Sequence, residues 1–98
     1  MEIMQNKNES SLNITLRGRL DTTTAPQLEE AIASAITGVT TLIFDFSTLD
    51  YISSAGLRVL LSVQKQMNKQ GEMKIMNVNE TVMEVFEVTG FNDILTIE

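Results

Sequence analysis

The 98 residues suit one compact domain, and an apolar fraction of 43% is ordinary for a globular fold. The formal net charge of −6, with Lys and Arg scattered along the chain, argues against a nucleic-acid partner, which needs a basic patch. Cysteine and histidine are absent, which excludes disulfides, the usual zinc sites and the commonest general base. Because the N-terminus lacks a signal-peptide core and no apolar run approaches about 18 residues, we expect a cytoplasmic domain that does not enter a membrane.

The first half of the chain predicts two strands and a helix. Residues 2–7 and 11–19 are expected to be strands on either side of a polar turn, because apolar and polar residues alternate along the second segment. A helix should follow, with Thr24 as its N-cap, Gln27 as the capping-box partner and Pro26 in its first turn.

The second half alternates between strands and helices. Strands are expected at residues 41–46, 73–78 and 94–97, and helices at residues 54–69 and 80–88. This order predicts an α/β fold in which a hairpin feeds right-handed crossovers, giving a mixed sheet of four to five strands with helices mainly on one face. The expected inner stripe of the longer helix consists of Leu57, Leu60, Leu61, Gln64, Met67 and Asn68. The expected core includes Leu42, Phe44, Leu57, Leu60, Leu61, Val85 and Phe86.

Two strand-to-helix corners carry the residues of functional interest. Ser53 and Ser54 precede the longer helix, where unpaired N–H groups can hold either a hydroxyl cap or a phosphate. Gly56 is unfavourable inside a first helical turn, so its presence indicates that something approaches the backbone closely. Asp21, at the earlier corner, is expected either to form a local Asx turn or to face a partner. Replacement of Asp21 by Ala is expected to leave the thermal stability almost unchanged.

No catalytic constellation is present in the sequence. The carboxylate pairs Asp45 with Asp50 and Glu29 with Glu30 lack the apolar cleft that acid–base chemistry needs. The glycines do not form a phosphate-binding loop. We therefore expect a protein that is not an enzyme and that uses no cofactor and no metal.

Four segments resemble a known family. They are residues 18–25 (GRLDTTTA), 42–46 (LIFDF), 49–60 (LDYISSAGLRVL) and 85–91 (VFEVTGF). Together they look like the STAS domain of bacterial anti-sigma factor antagonists, also called anti-anti-sigma factors. The resemblance covers nearly the whole chain and implies a single STAS domain over residues 1–98.

The resemblance implies a partner-switching mechanism. In it, the unphosphorylated protein binds an anti-sigma factor serine kinase of the GHKL type and so frees the sigma factor. The kinase phosphorylates the antagonist on a serine at the start of the second helix, and a PP2C-type phosphatase removes the phosphate. The expected partner-binding residues are Asp21, Thr22, Ser53, Ser54 and Gly56.

The phosphoacceptor motif departs from the family's best-known form, Asp-Ser-Ser-Gly-Leu. Alignment on Gly56-Leu57 puts Ala55 at the position that is usually phosphorylated. Ser-Ser-Ala-Gly-Leu-Arg is itself a familiar form of the family, so Ser54 is the expected acceptor and Ser53 the second choice. Loss of the switch is the alternative.

Two hypotheses of other classes stand beside the switched module. One is a constitutive STAS interaction subunit of a transport or regulatory assembly, without phosphorylation. The other is a small-molecule binder that uses a pocket at the rim formed by the two corners. Nothing in the sequence requires more than a monomer.

Overall fold

The computed structural model describes residues 1–98, which form four strands and three α-helices. The strands are β1 (Glu2–Asn8), β2 (Ser11–Leu20), β3 (Thr41–Ile52) and β4 (Glu72–Met76). The helices are α1 (Ala25–Ala35), α2 (Ser54–Gln70) and α3 (Glu80–Thr89), followed by a 3₁₀ turn at Phe91–Asp93. None of these helices is both long enough and apolar enough to span a bilayer.

The strands form one mixed sheet in the order β1-β2-β3-β4. Strand β1 pairs with β2 in antiparallel fashion, whereas β2 with β3 and β3 with β4 are parallel, so the predicted mixed sheet is confirmed. The strand expected at residues 94–97 is reduced to a single bridge between Ile75 and Ile97. The reason is local, because the N–H groups of Ile94 and Leu95 both donate to the Phe91 carbonyl and do not join a ladder.

One face of the sheet carries the core. Alternate side chains of β2 and β3 are buried, while the residues between them are exposed or half-buried on the opposite face. All three helices contribute to the same cluster of 24 buried residues, so they cover that one face. The buried strand residues of this face include Leu12, Ile14, Leu16, Leu42, Phe44 and Phe46.

The expected core is largely correct, with two corrections. Leu42, Phe44, Leu57, Leu60 and Phe86 are buried, but Leu61 and Val85 are only half-buried. Val85 lies beside the buried stripe of α3, which passes through Val82 and Phe86.

The buried stripe of α2 is rotated from the expected one. Asn68 is exposed, whereas Val59 and Val63 are buried. Helix α1 packs on that side of α2, and there the two valines line a cleft together with Ile32 of α1. Val59 and Val63, two apolar residues four apart, therefore form a side of α2 that α1 covers.

Strand β3 continues six residues beyond the segment expected to be a strand, to Ile52. The apolar alternation breaks at Ser47 and Thr48, and the pairing of β2 with β3 has register shifts in this part of the ladder. After the shifts, Leu20 pairs with Ile52, so β2 and β3 end side by side. This ending brings the two strand-to-helix corners together.

Candidate functional site

The site is the sheet edge at which β2 and β3 end. We call residues 21–24, between β2 and α1, the Asp21 corner, and residues 53–56, between β3 and α2, the Ser54 corner. The Ser53 N–H donates to the carbonyl of Leu20, the last residue of β2, at 2.9 Å, so the Ser54 corner is bonded to the residue that directly precedes the Asp21 corner. The expected shared rim is therefore present in the structure.

The Asp21 corner is closed by its own hydrogen bonds. One carboxylate oxygen of Asp21 accepts from the N–H groups of Thr23 (3.0 Å) and Thr24 (3.1 Å), which is the Asx turn that the sequence left as one alternative. The Asp21 N–H donates to the Thr24 hydroxyl, which in turn donates to the Arg19 carbonyl, both at 2.8 Å. This corner is a self-contained turn.

The predicted capping box of α1 is wrong. Thr24 occupies the N-cap position and Pro26 lies in the first turn, as expected, but the Thr24 side chain makes no capping bond. Its hydroxyl is occupied within the Asp21 turn, and the Gln27 amide instead donates to the Met1 carbonyl at 3.3 Å.

The charge of Asp21 is stabilised by this turn. The backbone N–H of Thr24 has the largest effect in lowering the pKa of the Asp21 carboxyl, against an opposing desolvation. The Thr23 N–H, the Thr24 hydroxyl and the positive charge of Arg19 lower it further. The Arg19 guanidinium lies 3.7 Å from the second carboxylate oxygen and stacks 4.5 Å from the centre of the Tyr51 ring.

The Ser54 corner is open by contrast. Ser53 is the N-cap residue of α2, but its side chain makes no capping bond, and its hydroxyl oxygen is buried without any partner. The first intrahelical bond runs from the Leu57 N–H to the Ser53 carbonyl at 3.0 Å. The N–H groups of Ser54, Ala55 and Gly56 therefore have no acceptor in the chain.

The two serines differ in access. Ser54 is exposed at the first position of α2, whereas Ser53 is half-buried and its hydroxyl oxygen is inaccessible to solvent. An enzyme acting on this corner would meet the Ser54 hydroxyl first.

Gly56 is buried, and the close approach that the sequence indicated comes from the core of the protein itself. A Cβ atom at this position would lie 2.7 Å from Leu20 Cγ and 2.8 Å from Ile52 Cγ1. The absent side chain allows the first turn of α2 to rest on the ends of both strands. Any influence of Gly56 on a partner would act through this packing.

A depression of about 270 Å³ lies between the two corners, at the adjoining ends of α1 and α2. Its lining consists of Thr22, Ala25, Pro26, Glu29, Ala55, Arg58 and Val59. Of the five expected site residues, the exposed Thr22 is the one that lines the depression, and the lining residue Ala55 lies between Ser54 and Gly56 in the sequence. Sequence reasoning did not select Arg58, although its spacing of four from Ser54 places both on one helical face.

The arrangement offers binding chemistry. An exposed hydroxyl stands beside free backbone N–H groups at the positive end of a helix, which is a suitable setting for an anion. No group of three or more His, Cys, Asp or Glu side chains is placed to hold a metal ion.

Comparison with known proteins gives consistent matches over the full chain. A family model described as STAS domain matches residues 2–98. The protein BtrV of Bordetella bronchiseptica is 38% identical, over 99% of this chain and 85% of its own length. The anti-sigma-B factor antagonist of Bacillus subtilis is 31% identical, over 99% of this chain and 88% of its own length.

Solved structures show the same fold. The unphosphorylated form of the anti-sigma factor antagonist SpoIIAA superposes with a TM-score of 0.78 at 24% identity, covering 99% of this chain and 87% of that one. Its phosphorylated form, described as a Bacillus cell fate determinant, gives a TM-score of 0.77 at 24% identity, with coverage of 99% and 91%.

Proposed function

The chain belongs to the STAS domain family, and on this premise we propose that it is an anti-sigma factor antagonist that works by phospho-regulated partner switching. The unphosphorylated form binds an anti-sigma factor serine kinase of the GHKL type and is released when the kinase phosphorylates it. A PP2C-type phosphatase restores the binding form. The chain itself acts as a regulatory binding module and not as a catalyst.

The observation that carries the proposal is the open Ser54 corner. Ser54 is exposed and stands at three N–H groups that have no acceptor, whereas the Ser53 hydroxyl is buried. This contrast supports Ser54 as the phosphoacceptor, with Ser53 as the second choice. Ala55 occupies the position that the better-known family motif phosphorylates, and it has no hydroxyl.

Phosphorylation would act on the interface more than on the fold. A phosphate adds about −1.5 to −2 charge, and the free N–H groups and positive end of α2 favour a negative group there. The partner surface, fitted to a neutral hydroxyl, would then meet a charge that must be desolvated. The proposed partner-binding residues are Asp21, Thr22, Ser53, Ser54 and Gly56, of which Gly56 acts through packing.

Incubation with the cognate kinase and ATP, followed by intact-mass measurement, tests the proposal. The unmodified protein should gain one phosphate, Ser54→Ala should gain none, and the matched variant Ser53→Ala should gain one. Phosphate on Ser53 alone would move the switch by one residue. Absence of phosphate from both serines would contradict the switch and favour a constitutive interaction module.

A further inference from the structure

Arg58 has no partner in this chain. Of the three arginines, Arg17 lies 3.9 Å from a Glu2 carboxylate oxygen and Arg19 lies 3.7 Å from Asp21. The Arg58 guanidinium has no carboxylate within ion-pair distance and no hydrogen bond to another residue, although it lines the same depression as Glu29. In a chain of net charge −6, an unpaired guanidinium is an unused anion ligand.

The position of Arg58 points to one anion in particular. Residues four apart on a helix lie next to each other, with Cβ atoms about 5–6 Å apart, and both Ser54 and Arg58 are exposed. A negative group N-terminal to a positive one at this spacing is the more favourable order. The planar guanidinium also matches two phosphate oxygens at once, which a lysine ammonium does not.

We propose that Arg58 is the intramolecular cation that holds a phosphate on Ser54, an inference that rests on the proposed function. The N–H groups of the first turn would donate hydrogen bonds to one side of the phosphate, and the guanidinium would pair with the other side. Glu29 lines the same depression as Arg58 and would oppose the phosphate, and Asp21 directly precedes Thr22 of that lining in the sequence. The Asp21 carboxylate stays ionised, because the hydrogen bonds from the Thr23 and Thr24 N–H groups stabilise its charge, so both carboxylates would act against the phosphate.

Pairing of the Arg58 guanidinium with the phosphate on Ser54 would keep the charge of that phosphate nearly constant. A free phosphoserine has its second pKa near 6, so part of the population carries only one negative charge in mild acid. A guanidinium beside the phosphate favours the doubly charged form and lowers that pKa. The signal that releases the partner would then stay near −2 over a wider range of pH.

Phosphorus NMR tests this directly. Phosphoserine is installed biosynthetically at position 54, and the phosphate resonance is titrated in the otherwise natural protein, in Arg58→Gln and in the control Lys65→Gln. Lys65 is an exposed cation of the same helix, eleven residues from Ser54, so both variants lose one positive charge. Arg58→Gln should raise the titration midpoint by about 0.3 pH units or more, Lys65→Gln should leave it almost unchanged, and Arg58→Lys should fall between.

Equal midpoints for Arg58→Gln and Lys65→Gln would overturn the inference. Because the phosphate is installed without a kinase, that result would leave the proposed function intact. Conversely, a kinase that fails to modify the protein would leave the measured pairing unaffected. Arg58 makes no ion pair or hydrogen bond in the fold, so each variant is expected to show the unfolding midpoint of the parent.

Discussion

The Asp21 corner and the Ser54 corner lie side by side at one sheet edge, but they differ in whether their polar groups have hydrogen-bond partners. At the Asp21 corner, a carboxylate and a hydroxyl satisfy the local N–H groups, and both side chains are fully engaged. At the Ser54 corner, three N–H groups and the Ser53 hydroxyl have no partner. The first corner is built as a rigid support, and the second is left able to accept a ligand.

This difference separates stability from function along one rim. Groups that bind each other, as at the Asp21 corner, contribute to folding and are costly to remove. The N–H groups left without partners at the Ser54 corner contribute little to folding and remain available for a phosphate or a partner protein, whereas the Ser53 hydroxyl is buried. Substitutions of the polar side chains at the two corners should therefore divide into those that lower stability and those that change binding alone, whereas Gly56 acts on stability through packing.

Gly56→Ala should have the largest effect on stability, because Gly56 is where α2 rests on the ends of both strands. The new methyl group would overlap buried Leu20 and Ile52, and overpacking of this kind costs about 1–3 kcal/mol. Urea unfolding measures the loss in the free energy of unfolding, and this loss should be smaller when Gly56→Ala is combined with Leu20→Ala. Alanine is the better helix former, so a gain in stability would show that the close packing is absent.

Asp21→Ala should lower the melting temperature by several degrees, because two N–H groups would lose their acceptor. This prediction differs from the sequence-based expectation that the variant keeps its stability almost unchanged, because the sequence did not show these two hydrogen bonds. The control is Thr22→Ala, at an exposed neighbouring residue whose side chain makes no hydrogen bond. Melting temperatures that are equal for the two variants would mean that the Asp21 corner is not a support.

A fall in pH should lower the stability that the Asp21 corner contributes and should not affect the Ser54 corner. The folded-state pKa of Asp21 lies below the usual value of 3.8, chiefly through the hydrogen bond from the Thr24 N–H, and the pKa of Asp45 is lowered, chiefly by the hydrogen bond from the Asn77 amide. Their contributions are complete above the unfolded pKa and are lost as the pH falls through the folded values. Asp21→Asn should therefore lose less stability than the parent between neutral pH and about pH 3.

The acid prediction is checked by urea unfolding at both pH values. Ser53→Ala, which removes no titratable group, should follow the parent curve. An Asp21→Asn variant that loses as much stability in acid as the parent would show that the turn does not bind the ionised carboxylate more tightly.

Ser53→Ala should have the smallest effect on stability, near zero or slightly favourable. A serine N-cap usually contributes about 1 kcal/mol, but this hydroxyl makes no capping bond and is buried without a partner. Thermal unfolding of Ser53→Ala and Asp21→Ala under the same conditions compares the two effects directly. A loss as large as that of an ordinary N-cap would show that Ser53 caps α2 in solution.

Much of the fold was predictable because its signals are local. Alternation identified β2, helical spacing identified all three helices, and their order predicted the mixed sheet. The end of β3 was missed, since its pairing depends on register shifts against β2 that no local pattern records. The strand expected at the C-terminus failed for a related reason, because the 3₁₀ turn captures the N–H groups of Ile94 and Leu95.

The site was predictable by position but not by contact. Strand-to-helix corners with Asp21 and Ser54 are visible in the sequence, yet which donors Asp21 binds depends on how the turn closes in three dimensions. The capping box between Thr24 and Gln27 had the right residues at the right spacing, and tertiary hydrogen bonds replaced it. The unpaired state of Arg58 could be seen only once the other charged groups had been placed.

The most direct test of the account compares the affinity of the cognate kinase for the unmodified protein and for protein carrying phosphoserine at position 54, with urea unfolding of both. Phosphorylation should weaken binding at least about tenfold, a change of about 1.4 kcal/mol, while the unfolding midpoint stays the same or rises. Equal affinities, or a loss of binding that accompanies unfolding, would contradict the claim that the open corner is a switch on the interface.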